Sequence, residues 1–131
     1  MTPAFLLCLY LAFCAKQFIC DFLLQNDWIA LNKGQKGANA YRALAVHGLI
    51  HGAGTLMIML VFAPSFWWLG AVDCVIHALI DRCKGVISAR RGWTPSDRWF
   101  WWSFGLDQEM HNLTHLAYIV ILAIHAGVRF F

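Results

Sequence analysis

Residues able to bind a metal recur four apart at four places in this chain. The first place reads Gln17, Asp21 and Gln25, the second His47 and His51, the third His77 and Asp81, and the fourth Asp107, His111 and His115. Residues four apart lie on one face of a helix, so each run would present its groups together. Imidazole and carboxylate without thiolate suit zinc, manganese or iron. The predicted ligands are Asp21, His47, His51, His77, Asp81, Asp107 and His111. That is more than one zinc ion takes, so the set predicts one ion or two. Helical bundles with paired carboxylate and histidine ligands hold two metals in this way. Gln17, Gln25, Gln108 and His115 are expected to orient the ligands. A metal here would acidify a bound water and polarise a carbonyl or phosphoryl group. Asp21, Asp81 and Asp107 would then be ligands or, in part, a general base. Lys84 would hold a phosphate or stabilise developing negative charge. Glu109 lies about 200° around the helix from Asp107 and is expected to face away. His125 sits near the other end of its segment and is expected at an interface.

These groups must be carried by helices in an apolar solvent. Hydrophobic residues make up 60% of the 131 and charged residues 13%. Soluble domains run roughly 45–50% apolar and about 25% charged. Four apolar segments stand out, at about Pro3–Leu24, Ala43–Ala63, Phe66–Ile80 (continuing toward Lys84) and Trp99–Phe130. About 20 apolar residues cross a bilayer. The fourth segment is expected to begin at the interface over Arg98–Phe104 and to cross from Gly105. Polar loops are predicted over Asn26–Arg42 and Gly85–Asp97, and a tight turn over Ala63–Ser65. Thr94 or Ser96 is expected to cap a helix starting near Asp97. The five cysteines contain no CxxC pair and read as packing residues rather than a disulfide framework. Met1-Thr2-Pro3 lacks the charged start of a cleaved signal peptide.

The expected architecture is all-α, a polytopic membrane protein forming one four-helix transmembrane domain over residues 1–131. Basic residues cluster in the two long loops (Lys33, Lys36 and Arg42; Arg90 and Arg91, flanked by Arg82, Lys84 and Arg98), with only Arg129 at the far end. The positive-inside rule therefore places both loops in the cytoplasm and both termini outside. Trp99-Phe100-Trp101-Trp102 and Phe66-Trp67-Trp68 suit the two interfacial belts. On this topology all four pairs fall at the cytoplasmic end, where costly polar groups must face inward and meet. A structural polar network without metal is the plainer alternative for such a cluster. The net charge of +3 carries no basic, aromatic-interleaved run of a nucleic-acid binder.

The segments DFLLQNDWIALNK (from Asp21), HGLIH (from His47), HALIDRCK (from His77) and LDQEMHNLTH (from Leu106) together resemble a family of small bacterial and phage membrane proteins of unknown function, DUF3307. The resemblance covers nearly the whole chain. It implies that Asp21, Gln25, Lys33, His47, His51, His77, Asp81, Lys84, Asp107, Gln108 and His111 are family positions. The family typically carries a histidine where this chain has Gln17, which can coordinate weakly through its carbonyl or can mark a site for one ion instead of two. A bacterial inner-membrane location follows.

Three functions are consistent with these features. The first is a metal-dependent hydrolase of a lipid-like or phosphorylated substrate. The second is a non-enzymatic membrane protein, such as a phage accessory protein, with a structural ion. The third is a small ion or proton transporter acting as an oligomer. The outer halves of the helices read as almost wholly apolar, which disfavours the third. Gly48, Gly52 and Gly54 permit close helix packing, within the chain or between copies.

Overall fold

A computed structural model describes residues 1–128; Arg129 and Phe130, which figure in the reading of the far end, lie outside the described residues. The fold is all-α, with no strand among the described residues. Helix α1 (Pro3–Phe18) starts with Pro3 in its first turn and with Thr2 Oγ1 accepting from the Phe5 amide at 3.2 Å. It passes into a π-helical turn, Ile19–Leu23, closed by the Leu24 amide donating to the Ile19 carbonyl at 2.9 Å. Short helix α2 (Asp27–Asn32) is capped by Asn26, and α3 (Ala38–Phe62) follows after Gly37, whose φ of 94° suits only glycine well. A 3-10 turn, Pro64–Phe66, leads to α4 (Leu69–Arg91), which ends at left-handed Gly92. Helix α5 (Arg98–His125) completes the bundle.

The helices extend beyond the apolar segments that announce them. Helix α3 begins at Ala38, within the predicted first loop, and α4 runs to Arg91, so much of the expected second loop is helical. Polar residues there lower hydropathy without breaking the helix, because nothing from Gly85 to Arg91 is a proline. Helix α5 is continuous from Arg98, with no break at Gly105. Neither Thr94 nor Ser96 caps it. Asp97 occupies the capping position, and its carboxylate accepts from the Thr94 amide (2.8 Å) and hydroxyl (2.9 Å), closing the turn before it. Those two donors hold the Asp97 carboxyl below its ordinary range.

The four long helices pack in a ring, α1 against α3, α3 against α4, α4 against α5 and α5 against α1. The α3–α4 contact is the closest. A Cβ on Gly52 would stand 2.7 Å from the Gly70 carbonyl oxygen, and one on Gly48 would stand 2.8 Å from that of Cys74. Helix α2 folds back onto α3.

Polarity is distributed inside out. Four histidines and three aspartates of the predicted ligand set are buried, whereas Leu11, Leu31, Leu49, Val61, Leu79 and Leu106 are exposed. A core of Leu9, Phe13, Met59, Leu69, Tyr118, Ile119 and Leu122 closes one end of the bundle. Two helical stretches, Pro3–Leu23 and Ala38–Phe62, are long and apolar enough to cross a membrane. All five cysteines are free thiols; Cys8 and Cys83 are exposed and Cys20 is buried.

Candidate metal centre

The ladder of polar residues on each long helix faces the middle of the ring, and the ladders meet around the Asp21 carboxylate. The π turn carries Asp21. Its Oδ1 lies 3.1 Å from His47 Nε2, 3.1 Å from His51 Nε2 and 3.7 Å from His77 Nε2. Its other oxygen, Oδ2, accepts from Gln17 Nε2 at 2.6 Å and from Gln108 Nε2 at 2.9 Å. The two glutamines thus hold one oxygen and aim the other at three imidazoles. Gln17 and Gln108, expected to orient ligands, thus both bond to the predicted ligand Asp21. Gln25 stands apart, half-buried, its Oε1 without a partner.

A second group adjoins the first. Asp81 Oδ2 lies 3.2 Å from His47 Nε2, and Asp81 Oδ1 lies 3.8 Å from His111 Nε2. Asp107 Oδ1 is 3.7 Å from the same His111 nitrogen. The rings of His51, His77 and His111 form a pile, with centroids 3.3 Å apart for the first pair and 3.6 Å for the second. Close glycine packing of α3 on α4 is what brings His51 and His77 into this contact.

The donor set suits a divalent cation. Asp21, His47, His51 and His77 each offer an atom within 4.8 Å of the others, and so do His77, Asp81 and His111. Two nitrogen or oxygen ligands of one zinc ion stand at most about 4.2 Å apart, given bonds of about 2.1 Å, so sub-ångström adjustments close either set. Buried polar atoms ordinarily have partners. Here both ring nitrogens of His77, His111 Nε2, Asp81 Oδ1 and Asp107 Oδ1 have none. They are the atoms a cation would use. Three carboxylates (Asp21, Asp81, Asp107) face two nearby ammonium groups (Lys33, Lys84), leaving net negative charge for a cation to balance. His77 belongs to both sets, so two ions would have to divide the ligands between them.

All seven predicted ligands are therefore brought together. Lys84, half-buried, lies 3.8 Å from Asp107 Oδ2 and 5.3 Å from the Phe104 ring centre. Glu109 is exposed, as its helical phase requires, and His125 is exposed at the end of α5. His115 is a correction. It does not orient ligands, because it lies one turn deeper, 3.1 Å from Lys16 Nζ and 3.6 Å from Asp73 Oδ1, with its ring stacked on Phe13.

Two features are absent from the predicted set. Lys33, at the end of α2, donates to Asp81 Oδ2 at 3.0 Å and lies 3.5 Å from His47 Nε2. Its position depends on Gly34 and Gly85, whose backbones touch; a Cβ on Gly85 would stand 2.6 Å from Gly34 Cα. The other is a buried cluster below the candidate centre. Lys16 Nζ donates to Asp73 Oδ2 at 2.6 Å, and Thr55 Oγ1 donates to the same oxygen at 2.7 Å. The Tyr118 hydroxyl reaches Asp73 Oδ1 at 3.4 Å. The expectation of almost wholly apolar outer helix halves is thus wrong at this depth, because four helices supply five polar groups, Lys16, Thr55, Asp73, His115 and Tyr118, to a closed network. Two of them were signalled by extending a ladder one turn: Asp73 precedes His77 by four, and Thr55 follows His51 by four.

A family model described as a protein of unknown function, DUF3307, matches residues 7–130. No curated protein and no solved structure matches the chain.

Proposed function

This chain belongs to the DUF3307 family, which transfers no activity to it, and from its geometry we propose a membrane-embedded, metal-dependent hydrolase of a lipid-like or phosphorylated substrate. The observation that carries this reading is the approach of three imidazole nitrogens from two helices to one carboxylate oxygen, all within 3.7 Å. Asp21, His47, His51, His77, Asp81, Asp107 and His111 would hold one or two ions, zinc before manganese or iron. A bound ion would supply an acidified water and a polarised acyl or phosphoryl group.

The chain's own groups divide the remaining work. Gln17 and Gln108 fix Asp21. Lys33 neutralises Asp81 and helps cover the centre from α2. Asp107, with one oxygen unpartnered and beside the half-buried Lys84, is the carboxylate best placed to meet substrate and accept a proton from water. In the hydrolysis, water oxygen bonds to the acyl or phosphoryl centre, the ester bond breaks, and the leaving oxygen takes up a proton. Lys84 would steady the negative charge on the way.

Membrane insertion is supported by the inside-out polarity and by the two stretches apolar enough to span. Helices α4 and α5 would be the other two spans of a four-span inner-membrane topology with both termini outside. Their lower hydropathy comes partly from Asp73, His77, Asp81, Asp107, His111 and His115, all of which face the interior. Interior polar groups do not oppose insertion as lipid-facing ones do.

The deeper Lys16–Asp73 cluster brings an ion or proton pathway back into consideration. The bundle argues against conduction through one chain, because Lys16 and Asp73 are already paired and the core of Leu9, Phe13, Met59, Leu69 and Leu122 shuts the far end. The proposal is tested by purifying the protein in detergent without chelator and measuring bound metals by elemental mass spectrometry. One or two equivalents, lost in a His47→Ala/His77→Ala variant, are expected. A wild-type protein that holds no metal even after reconstitution would make the histidines a structural polar network instead.

A further inference from the structure

A groove of about 560 Å³ lies between α4 and α5, within the range of about 300–1,000 Å³ typical of small-molecule sites. Leu79, Ile80, Cys83 and Ile87 form one wall, and Trp99, Trp102, Leu106 and Met110 form the other. Two charged residues, Lys84 and Asp107, line it near its middle. Asp107 also stands 3.7 Å from His111 Nε2. The groove is therefore continuous with the candidate metal centre through one shared carboxylate.

Its dimensions and polarity match one leaflet of a bilayer. From Leu79 to Ile87 the α4 wall is about 12 Å long, and from Trp99 to Met110 the α5 wall is about 16 Å, at about 1.5 Å per residue. Half of a hydrocarbon core is about 15 Å. One end carries Trp93 stacked near Trp99, with Arg98 over Trp102, the composition of a headgroup interface. The other end, at Leu79 and Met110, is apolar and exposed.

Resting on the proposed reading of the centre, we infer that this groove takes the head and the first part of one hydrocarbon chain of a phosphate-bearing lipid. Its head would lie among Lys84, Arg98 and the tryptophans, and its tail would continue past Leu79 and Met110 into the bilayer. The substrate class is then a membrane amphiphile that enters sideways from the leaflet. The linkage between its head and tail would sit level with Asp107. Lys84 selects anionic heads: its ammonium has only a 3.8 Å contact with Asp107 and an aromatic face for partners, so it retains capacity for a phosphate.

The test uses the full chain in phosphatidylcholine vesicles containing a trace of phosphatidic acid with a photoreactive tail, and cross-links are mapped by peptide mass spectrometry. Labelling is expected to concentrate on Leu79–Ile87 and Trp99–Met110. Ser103→Trp, which fills the groove, should reduce it at least tenfold, and Lys84→Gln should abolish the preference over a photoreactive phosphatidylcholine. A second readout needs no variant. Cys83 lines the groove and Cys8 lies exposed on α1, so phosphatidic acid should slow alkylation of Cys83 and leave Cys8 unchanged. Labelling spread evenly over the lipid-facing residues, or equal alkylation of both thiols with and without phosphatidic acid, would overturn the inference. Metal content is measured on the same samples. Metal present without groove labelling rejects the groove alone; groove labelling without metal rejects the hydrolase and leaves a lipid-binding groove.

Discussion

Replacing Gly52 with alanine should damage the candidate centre without touching any of its ligands. The new Cβ would stand 2.7 Å from the Gly70 carbonyl oxygen and 2.8 Å from Cys74 Cβ. Ordinary contact begins at 3.4 Å, so α3 and α4 must part by at least about 0.7 Å along this line. Functional constellations tolerate displacements of only about 0.5 Å. His51 adjoins Gly52 on α3 and His77 lies on α4, so the separation acts on facing ligands. Overpacking of this kind costs about 1–3 kcal/mol. Metal affinity should fall on the order of 10–100-fold, the range seen when the supports of ligands are disturbed. Gly105→Ala is the matched control. Nothing lies within 4 Å of its would-be Cβ, and alanine in mid-helix is better than glycine by about 0.5–1 kcal/mol. Thermal denaturation in detergent and zinc titration measure both effects. A Gly52→Ala protein that melts and binds zinc like the wild type would refute the close α3–α4 packing on which the centre depends.

Three further outcomes are expected. Lys16→Met and Asp73→Asn should each destabilise by about 3–5 kcal/mol, because each strands a buried partner, while the double variant should recover much of the loss; chemical denaturation of the three proteins checks this. Gln108→Ala should weaken metal binding about 10–100-fold while leaving stoichiometry unchanged, since it removes an orienting donor and not a ligand; competition with a chromophoric chelator measures it, and an unchanged affinity would count against the orienting role. Gly85→Val should push the α2–α3 linker from α4 and carry Lys33 away from Asp81, read as faster hydrogen exchange over residues 27–37 than in wild type.

Much of the candidate centre was legible in the sequence because spacing four is a strong constraint. His47 and His51 could face one interior only as a helical pair, and an interior position was required by their cost in lipid. The same rule reveals Asp73 and Thr55 when each ladder is followed one turn further. Helix ends were less legible. Residues from Gly85 to Arg91, with Gly85, Ser88, Arg90 and Arg91 among them, read as loop, yet they continue α4 because end position depends on hydrogen bonding rather than hydropathy. Lys33 was visible as a family position and as a basic residue of the first loop, not as a neighbour of Asp81. Its approach to Asp81 depends on the Gly34–Gly85 backbone contact, which no local pattern encodes.

The π turn at Ile19–Leu23 works as a change of thread on a screw. Lys16 and Asp21 are five residues apart, and on an unbroken α-helix they would point about 140° apart. Bonding from each residue to the fifth along brings such positions back toward one line. A single helix can therefore send Lys16 to the lower cluster and Asp21 to the upper one, and the two are geared together. Winding the same residues at the ordinary α pitch would turn Asp21 away from the line of Lys16. The helix would survive, and the two polar centres would fall out of phase.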